Sequence, residues 1–297
     1  MLTKDTLRGV IPAIVTPFTA HDQVDEVALG AITEFVVKNG VHAIMTTGGT
    51  GEFPHLSREE RAVVTRAVVQ ASAGRVPVIA GTAACSTREA LELTEDAARA
   101  GATGAIVVSP FYFGLPERAL YKHFADLAQA AALPIVLYNN PLYTGNHITP
   151  SLVAELAQLP GVVGLKQSDA DMGKFVEIKR LVGDSIAVCT GIDSQFYPAL
   201  CVGGVGIFST AATVIPRQMV DIWDAFQKGD HAGALAMHMK VQVLNRFLEY
   251  DPGYVAPCKE ALRLLGLPGG PVRPPLPELT AEEKAGVADA LRQLGLL

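Results

Sequence analysis

The sequence predicts a (β/α)8 TIM barrel, in which eight short parallel strands are each followed by a helix. Apolar runs rich in Val and Ile recur along the chain, and near-continuous runs of this length are typical of strands buried on both faces. They begin at Val10, His42, Val76, Gly104, Pro134, Val162, Ile186 and Gly204. Segments with helical periodicity separate the runs, and eight such units are the number that closes a barrel.

The segment after the first run argues against the main alternative, an open doubly wound sheet. That fold would need a dinucleotide-type glycine fingerprint directly after its first strand. Here the first strand is followed by Thr16, Pro17 and Phe18, so we prefer the barrel.

Several of the predicted helices carry recognisable sequence signals. Ser57 with Glu60, and Ser86 with Glu89, fit the capping box, in which each side chain bonds the backbone amide of the other residue. Further helices are predicted from apolar residues spaced three and four apart. They cover residues 152–159, 175–182 and 218–226.

The pattern changes after the eighth unit, where three helices follow one another without a strand. They cover residues 231–250, 255–265 and 281–294. The third begins with Thr280 and Glu283. We therefore predict a catalytic barrel over residues 1–228 and a helical extension over 229–297, which is too short for a full core of its own.

Composition and charge exclude several classes of protein. The chain has 297 residues, of which 49% are hydrophobic and 18% charged, and disordered chains lack so large an apolar fraction. The net charge of −6 without a basic cluster argues against a nucleic-acid partner. The longest apolar run, residues 130–138, is far shorter than the roughly 20 residues of a membrane span. Four scattered cysteines without metal-ligand spacing indicate reduced thiols in a cytoplasmic protein.

Lys166 ends the sixth run, and the active sites of such barrels lie at the carboxyl ends of the strands. No other lysine lies in any of the eight runs. Burying an ammonium group is costly, so an apolar barrel mouth favours the neutral amine, which can form a Schiff base with a carbonyl substrate. The alternative is a strand-end lysine that reaches solvent or pairs with Asp169 or Asp171.

Three further features lie at strand ends. Tyr138 ends the fifth run, where a phenol could transfer protons during imine formation or could simply cap the barrel core. The Gly-Gly-Thr-Gly-Glu turn at 48–52 could hold a carboxylate or a phosphate on successive amides, although a plain turn is the commoner explanation. The Gly-Val-Gly-Ile segment ending at Ile207 would let a ligand lie against the backbone, or would allow close strand packing.

Together these motifs resemble the dihydrodipicolinate synthase / N-acetylneuraminate lyase superfamily. The matching segments are Gly-x-Thr-Gly-Glu after strand two, Tyr-Asn-x-Pro-x-x-Thr-Gly after strand five, Gly-x-Lys in strand six and Gly-Gly-Pro-Val-Arg-Pro-Pro-Leu at 269–276. They occur in the order and spacing of the family, from about Gly9 to the C-terminus.

The resemblance implies a TIM barrel with C-terminal helices, usually assembled as a homotetramer that is a dimer of dimers. It implies that Lys166 forms a Schiff base with pyruvate or another 2-keto acid, that Tyr138 shuttles protons, and that the amides of Gly49 and Thr50 hold the carboxylate. Tyr112 matches a tyrosine that family members insert into the site of a neighbouring subunit. No metal or diffusible cofactor is implied, because the lysine imine supplies the electron sink.

Two departures from the family pattern bear on the substrate. The family turn has Thr or Ser where this chain has Gly49, so the hydroxyl that joins two tyrosines in a proton relay is missing. Thr47 lies just upstream, and otherwise the relay must use water, a substrate hydroxyl or another residue. Lysine-biosynthesis members carry an arginine where this chain has Tyr143, and a tyrosine cannot form the bidentate pair with a substrate carboxylate.

The turn Gly-Gly-Thr-Gly-Glu-Phe and the strand end Tyr-Asn-Asn-Pro look more like the catabolic branches of the family, which dehydrate, deaminate or cleave hydroxylated 2-keto acids and related cyclic imines. By this resemblance we predict a lyase that acts on pyruvate or a hydroxylated 2-keto acid through a lysine imine and enamine. The predicted catalytic residues are Lys166, Tyr138, Tyr112 and Thr50, and the predicted substrate-binding residues are Gly49, Thr50, Gly51, Tyr143 and Ile207. The alternatives are a genuine dihydrodipicolinate synthase of lysine biosynthesis, a barrel that grips a sugar phosphate with its glycine turn, and a barrel that binds a keto acid without turnover.

Overall fold

The computed structural model describes residues 1–249 and 253–297. Eight strands coincide with the eight apolar runs, and only the first strand begins one residue before its run. They are β1 (Gly9–Pro12), β2 (Ile44–Thr46), β3 (Val78–Gly81), β4 (Gly104–Val108), β5 (Ile135–Asn139), β6 (Val162–Gln167), β7 (Ala187–Thr190) and β8 (Gly206–Ser209). Nearly all strand residues are buried, as expected for strands covered on both faces.

The strands pair in parallel and form a closed barrel. Their order is β1-β8-β7-β6-β5-β4-β3-β2, and a further parallel bridge between Ala13 and Met45 joins the two edge strands. The predicted (β/α)8 barrel is therefore confirmed. In the register of β5 and β6, Tyr138 lies opposite Lys166, so both residues reach the same carboxyl-terminal rim.

Helices pack against the outside of the barrel and continue beyond β8. They are α1 (Glu26–Lys38), α2 (Arg58–Ser72), α3 (Thr87–Arg99), α4 (Glu117–Ala130), α5 (Pro141–Thr144), α6 (Pro150–Leu156), α7 (Met172–Val182), α8 (Phe196–Cys201), α9 (Ala211–Val214), α10 (Pro216–Gln227), α11 (His231–Leu248), α12 (Val255–Leu264) and α13 (Ala281–Gln293). Two short turns of 3-10 helix lie at Phe53–His55 and Asp193–Gln195.

The two capping boxes predicted for the N-terminal half of the chain differ in the structure. At the start of α2, Ser57 Oγ accepts a bond from the Glu60 amide at 3.2 Å, and the Ser57 amide donates to the Glu60 carboxylate at 2.8 Å. At the start of α3, Ser86 Oγ accepts from the Glu89 amide at 3.2 Å, but the return bond between these two residues is missing. Only half of the second box therefore forms.

The three helices predicted after the barrel are α11, α12 and α13, with ends within two residues of the predicted ones. The last residue of the predicted helix 231–250 lies outside the described residues. Thr280 and Glu283 form a complete capping box at the start of α13.

The extension shares a hydrophobic core with the barrel. Val241 and Leu244 on α11 belong to the same buried cluster as Leu29 and Ile32 on α1. A separate cluster fills the inside of the barrel. The division into two units at residue 228 falls between α10 and α11 and stays a prediction. Within the described ranges, no helix is both long and apolar enough to cross a membrane.

Candidate active site

Lys166 lies near the end of β6 and is almost completely buried, with 5% of its surface exposed. Its Nζ lies 4.2 Å from the centre of the Tyr138 ring and 5.7 Å from that of Phe208. It forms no salt bridge among the described residues. Asp169 instead accepts a hydrogen bond from a neighbouring lysine, and Asp171 caps α7. The amine is therefore held among aromatic rings at the mouth of the barrel.

Gly191 makes the room that the Lys166 side chain occupies. It directly follows β7, the strand that pairs with β6. A Cβ atom at position 191 would lie 2.5 Å from Cε and 3.0 Å from Cγ of Lys166, and it would also collide with Ser168. A side chain larger than hydrogen here would displace the lysine.

Tyr138 presents its ring to Lys166 and also lines the cavity described below. The Asn140 side-chain amide donates to Tyr138 Oη at 3.0 Å. That bond uses a lone pair of the phenol oxygen, so the phenol keeps its own proton to donate. Tyr138 can therefore act as an acid towards a group bound on Lys166.

The turn after β2 contributes Gly49 and Thr50 to the same cavity. In the part of the chain that the structure describes, neither of their backbone amides donates to an acceptor. Thr50 Oγ1 lies 3.1 Å from Thr210 Oγ1. Two successive N–H groups without a protein acceptor suit an anionic group such as a carboxylate.

A cavity of about 490 Å³ joins these groups, a size typical of small-molecule sites. Its charged lining residues are Lys166 and three acidic residues, Asp169, Asp193 and Glu249. No arginine among the described residues lines it. Apart from the lysine, its charged groups are thus hydrogen-bond acceptors.

Asp193 is a buried carboxyl group in the cavity wall, 3% exposed. It accepts hydrogen bonds from the Ser209 hydroxyl and from two backbone amides at 3.1 Å each. Burial raises the pKa of Asp193, while these bonds and the positive charge of Lys166 oppose the rise. Asp193 thus adds an acceptor close enough to influence the lysine electrostatically.

Glu249 lies beside Asp193, just after α11. It accepts a hydrogen bond from the backbone amide of Ser194. Burial, and then the negative charge of Asp193, raise the pKa of Glu249 to about 7. This carboxyl group can therefore be protonated near neutral pH.

A family model described as "Dihydrodipicolinate synthetase family" matches residues 6–294. The chain belongs to this family. Two curated relatives named 4-hydroxy-tetrahydrodipicolinate synthase illustrate the likeness. The one from Methanoculleus marisnigri is 42% identical over 91% of this chain and 94% of the relative. The one from Halorhodospira halophila is 40% identical over 98% of both chains.

Solved structures of the dihydrodipicolinate synthetase family are similarly close. The dihydrodipicolinate synthase from Aquifex aeolicus is 36% identical with a TM-score of 0.93, over 98% of this chain and 99% of that one. The chloride-inhibited enzyme from Acinetobacter baumannii, complexed with pyruvate, is 32% identical with a TM-score of 0.93, over 98% and 100%. Membership makes the protein a Schiff-base lyase, which confirms the predicted class of enzyme.

A buried ion pair anchors the family's glycine turn to the helical extension. Glu52 ends the Gly-x-Thr-Gly-Glu motif with a left-handed backbone, φ 58°. Lys259 Nζ on α12 lies 2.5 Å from Glu52 Oε1, and the two side chains are 3% and 0% exposed. The Arg273 amide donates to the other carboxylate oxygen at 2.9 Å. The extension therefore helps to position the turn.

Tyr254 stands directly before α12 and lines the cavity next to Gly49. A Cβ atom at Gly49 would lie under 3.0 Å from Tyr254 Oη, closer than Cβ atoms pack. Burial raises the pKa of this phenol, and the nearby Tyr138 and Tyr143 add to the rise. A hydrogen bond with the Thr50 side chain opposes it. Tyr254 thus belongs to the group of hydroxyls around the turn.

The other predicted substrate-binding residues lie at different places relative to the cavity. Tyr143 on α5 lines the cavity and is 61% exposed. Gly51 does not line it, but a Cβ there would meet the backbone of Ile14 at 3.2 Å. The Ile207 side chain is fully buried in the cluster shared by strands and helices. Ile207 is not among the residues that line the cavity, and its role stays a prediction.

Tyr112 lies outside the cavity of its own chain. It follows β4, is 86% exposed and has a positive φ of 82°. Its ring packs edge-on against Phe113, with 4.9 Å between centroids, and Phe113 is itself 71% exposed. The predicted role of Tyr112 in a neighbouring subunit stays a prediction.

Thr47 does not supply the hydroxyl that Gly49 lacks. Its Oγ1 donates to the backbone carbonyl of Gly81 at 2.9 Å, and Thr47 is not among the residues that line the cavity. This hydroxyl is therefore engaged elsewhere in the barrel.

Asp193, Glu249 and Tyr254 also line the cavity, and none of them was among the residues predicted from the sequence. Asp193 lies three residues beyond the end of β7. Its signal in the sequence is a carboxylate in the loop that follows a strand. Glu249 is the residue after α11, and Tyr254 is the residue before α12. No strand-end signal points to either position.

Proposed function

We propose that the protein converts a hydroxylated 2-keto acid through a Schiff base on Lys166. The observation that carries the proposal is the charge pattern of the cavity. Among the described residues, Lys166 is the one cation that lines it, together with three carboxyl groups and the two amides of the glycine turn. This pattern provides one site for a carboxylate next to one amine nucleophile.

In the first step, the Lys166 amine attacks the keto carbon and forms a carbon–nitrogen bond. The carbonyl oxygen is protonated and leaves as water, with Tyr138 as the proton donor, which yields a protonated imine. The substrate carboxylate is held by the amides of Gly49 and Thr50. Backbone donors suit this task because they are fixed by the turn and cannot ionise.

In the second step, the imine accepts the electrons of a bond at C3. Tyr138, which the first step leaves short of a proton, takes the C3 proton, and an enamine results. In a cleavage, it takes the proton of the C4 hydroxyl group instead, the C3–C4 bond breaks, an aldehyde leaves, and the enamine then regains a proton at C3. In a dehydration or deamination, the enamine electrons then expel the C4 substituent with a proton. Addition of water to the imine finally releases the product and restores the amine of Lys166. Because the imine is the electron sink, the proposed reaction needs neither metal nor diffusible cofactor.

The remainder of the cavity suits a hydroxylated chain better than a second carboxylate. Hydroxyl groups can donate to Asp193 and Glu249, whereas the carboxylate of aspartate semialdehyde would be repelled by them when they are ionised. The arginine that lysine-biosynthesis members use is replaced by Tyr143.

The names of the curated relatives favour a second candidate, a 4-hydroxy-tetrahydrodipicolinate synthase. In this candidate the imine of pyruvate would condense with aspartate semialdehyde. It shares Lys166, Tyr138 and the glycine turn with the first proposal. The two candidates differ in the second substrate, which the experiments below separate.

We further propose a cytoplasmic homotetramer built as a dimer of dimers. The exposed Tyr112 and Phe113 support a subunit contact at the loop after β4. A relative with TM-score 0.94 is described as the first monomeric dihydrodipicolinate synthase variant, which supports oligomers as the usual form. All four cysteines are free thiols, which suits a reducing compartment.

Borohydride reduction tests the Schiff base. The protein is incubated with pyruvate and, separately, with 2-keto-3-deoxy sugar acids, reduced, digested and mapped by mass spectrometry. We expect one reduced adduct on the peptide containing Lys166 and none in Lys166→Arg. The exposed variant Lys122→Arg, on α4, should still be modified at Lys166. A wild-type protein without an adduct at Lys166 would overturn the proposal.

A substrate panel then separates the two candidates. Purified protein is assayed with hydroxylated 2-keto acids alone and with pyruvate plus aspartate semialdehyde. We expect kcat/KM to be at least 10² times higher for one of the hydroxylated acids, as a difference of about 2.7 kcal/mol in transition-state binding would give. Faster turnover of pyruvate with aspartate semialdehyde would establish the synthase instead.

A further inference from the structure

The space beside Gly49 is filled by the hydroxyl group of Tyr254. A Cβ atom on Gly49 would approach Tyr254 Oη to less than 3.0 Å, but it would lie 3.7 Å from Cζ, an ordinary contact distance. The conflict is therefore with the phenol oxygen alone and not with the ring. The hydroxyl group of Tyr254 therefore leaves no room for a side chain at position 49.

The hydroxyl of Tyr254 lies among the groups that handle protons in the proposed reaction. Tyr254 lines the cavity together with Lys166 and Tyr138. Its hydroxyl lies directly beside Gly49 in the glycine turn. The nearby Tyr138 raises the pKa of this phenol, and the Thr50 side chain of the same turn lowers it. The centre of the Tyr138 ring lies 4.2 Å from Lys166 Nζ, so Tyr254, Tyr138 and the reacting nitrogen face the same cavity.

The helix that follows Tyr254 holds it in place. Tyr254 is the residue before α12, and the same helix carries Lys259, whose buried ion pair with Glu52 ties it to the glycine turn. The turn and the phenol are therefore positioned by one contact, which is the arrangement that a catalytic group needs.

We propose that Tyr254 is a further catalytic residue, whose hydroxyl replaces the side-chain hydroxyl that position 49 lacks and relays protons between Tyr138 and the substrate. The proposal rests on the proposed Schiff base at Lys166. In carbinolamine breakdown, Tyr138 gives a proton to the departing oxygen, the carbon–oxygen bond breaks, and the nitrogen lone pair forms the imine. Tyr254 then gives its proton to Tyr138. The proton that the substrate loses in the second step, from C3 or from the C4 hydroxyl group, returns through Tyr138 to Tyr254, so both phenols regain their starting protonation.

Tyr254→Phe tests the relay because it removes the oxygen and keeps the ring. We expect kcat/KM to fall on the order of 10²-fold, as is typical for loss of a general acid–base group. Formation of the borohydride-trapped adduct on Lys166 should become slower but still occur. Tyr121→Phe, on the outer helix α4, is the matched control and should keep full activity. Circular dichroism and thermal unfolding check that each variant folds.

The double variant Gly49→Ser/Tyr254→Phe distinguishes a relay from a packing role. The serine fits once the phenol oxygen is gone, because its Cβ then meets only the ring at 3.7 Å. We expect at least a tenfold recovery of kcat/KM relative to Tyr254→Phe, whereas Gly49→Ala/Tyr254→Phe, with the same Cβ and no hydroxyl, should not recover. Gly49→Ser alone should be impaired by the collision with Tyr254.

The outcomes separate this inference from the Schiff-base proposal. If the wild type forms no adduct on Lys166, the Schiff-base proposal fails. If the adduct forms but Tyr254→Phe keeps the wild-type kcat/KM and trapping rate, the relay is wrong and the Schiff base stands. Equal activities of the serine and alanine double variants would likewise overturn the relay.

Discussion

Lys259 and Glu52 form an almost fully buried ion pair that joins the helical extension to the glycine turn, with 2.5 Å between Nζ and Oε1. The Lys259 ammonium also donates to the Pro271 carbonyl at 2.6 Å, and the Glu52 carboxylate accepts from the Arg273 amide. Burial lowers the pKa of Lys259, and the charge of Glu52 opposes this effect. Each charge thus depends on its partner for compensation.

We expect Lys259→Met to lower the free energy of unfolding by about 3–5 kcal/mol, because it leaves a buried carboxylate without its cation. Glu52→Gln/Lys259→Met, which removes both charges, should be less destabilised than Lys259→Met alone. Urea denaturation measures both values. Glu34→Gln, which breaks an exposed pair with Arg75, serves as a control with a much smaller effect. A double variant at least as unstable as Lys259→Met would show that the charges do not compensate each other.

Gly191→Ala is expected to impair catalysis without unfolding the barrel. The new Cβ would lie 2.5 Å from Lys166 Cε, so the lysine must move. Displacing a reacting group by about 1 Å can cost on the order of 10²-fold in rate. Steady-state kinetics and borohydride trapping measure the loss. Gly30→Ala on α1, where a Cβ meets nothing within 4 Å, should keep full activity. Wild-type kinetics in Gly191→Ala would contradict the tight fit.

Glu249 is expected to make the protein less stable as the pH rises. Burial, and then the charge of Asp193, raise its pKa from 4.5 to about 7. The folded protein therefore holds this proton more tightly than the unfolded chain does. Its contribution to stability is complete below about pH 4.5 and is lost as the pH rises through about 7. At about 1.4 kcal/mol per pH unit, the full loss is about 3 kcal/mol.

The comparison of wild type with Glu249→Gln isolates this effect, because glutamine keeps the shape and cannot ionise. We expect the unfolding free energy of the wild type to fall relative to the variant between about pH 4.5 and about pH 8, by urea denaturation. Glu155→Gln, at an exposed position on α6, should follow the wild type throughout. A constant difference between wild type and Glu249→Gln across this range would refute the raised pKa.

Much of the barrel and the centre of the site could be predicted from the sequence because their signals are local. Each apolar run covers its strand to within one residue. Lys166 and Tyr138 stand near the carboxyl ends of their strands, and these ends lie at one rim of a parallel barrel. Glu249 and Tyr254 could not be predicted in this way. They reach the cavity only through the packing of α11 and α12 on the barrel, and no local pattern encodes that long-range contact.

The half-formed capping box at Ser86 is a second feature that the local sequence did not predict. The sequence pattern at Ser86 and Glu89 equals that at Ser57 and Glu60, yet only the hydroxyl half forms. The Glu89 carboxylate interacts electrostatically with Arg61 of the neighbouring helix α2. A nearby tertiary charge is a feature that the four-residue pattern does not contain.

Tyr112 is expected to complete the site of a neighbouring subunit. Co-expression of Tyr112→Ala with Lys166→Ala should yield mixed oligomers in which one site combines an intact Lys166 with an intact Tyr112. We expect these oligomers to be more active than either parent, since each parent lacks one of the two groups at every site. Assays of purified mixed oligomers measure this. Co-expression of Lys166→Ala with the double variant Tyr112→Ala/Lys166→Ala should stay inactive, and no gain in the first mixture would argue that Tyr112 acts elsewhere.

Tyr143→Arg is expected to move the specificity towards a substrate with a second carboxylate. Tyr143 lines the cavity, and an arginine there would offer a bidentate partner to a carboxylate. We expect the ratio of kcat/KM for aspartate semialdehyde with pyruvate over that for the hydroxylated keto acid to rise at least tenfold, about 1.4 kcal/mol. Leu142→Arg adds the same charge at the neighbouring cavity position, where the side chain is 82% exposed, and controls for charge alone. An equal rise in both variants would show that general attraction, rather than a paired carboxylate at position 143, sets the preference.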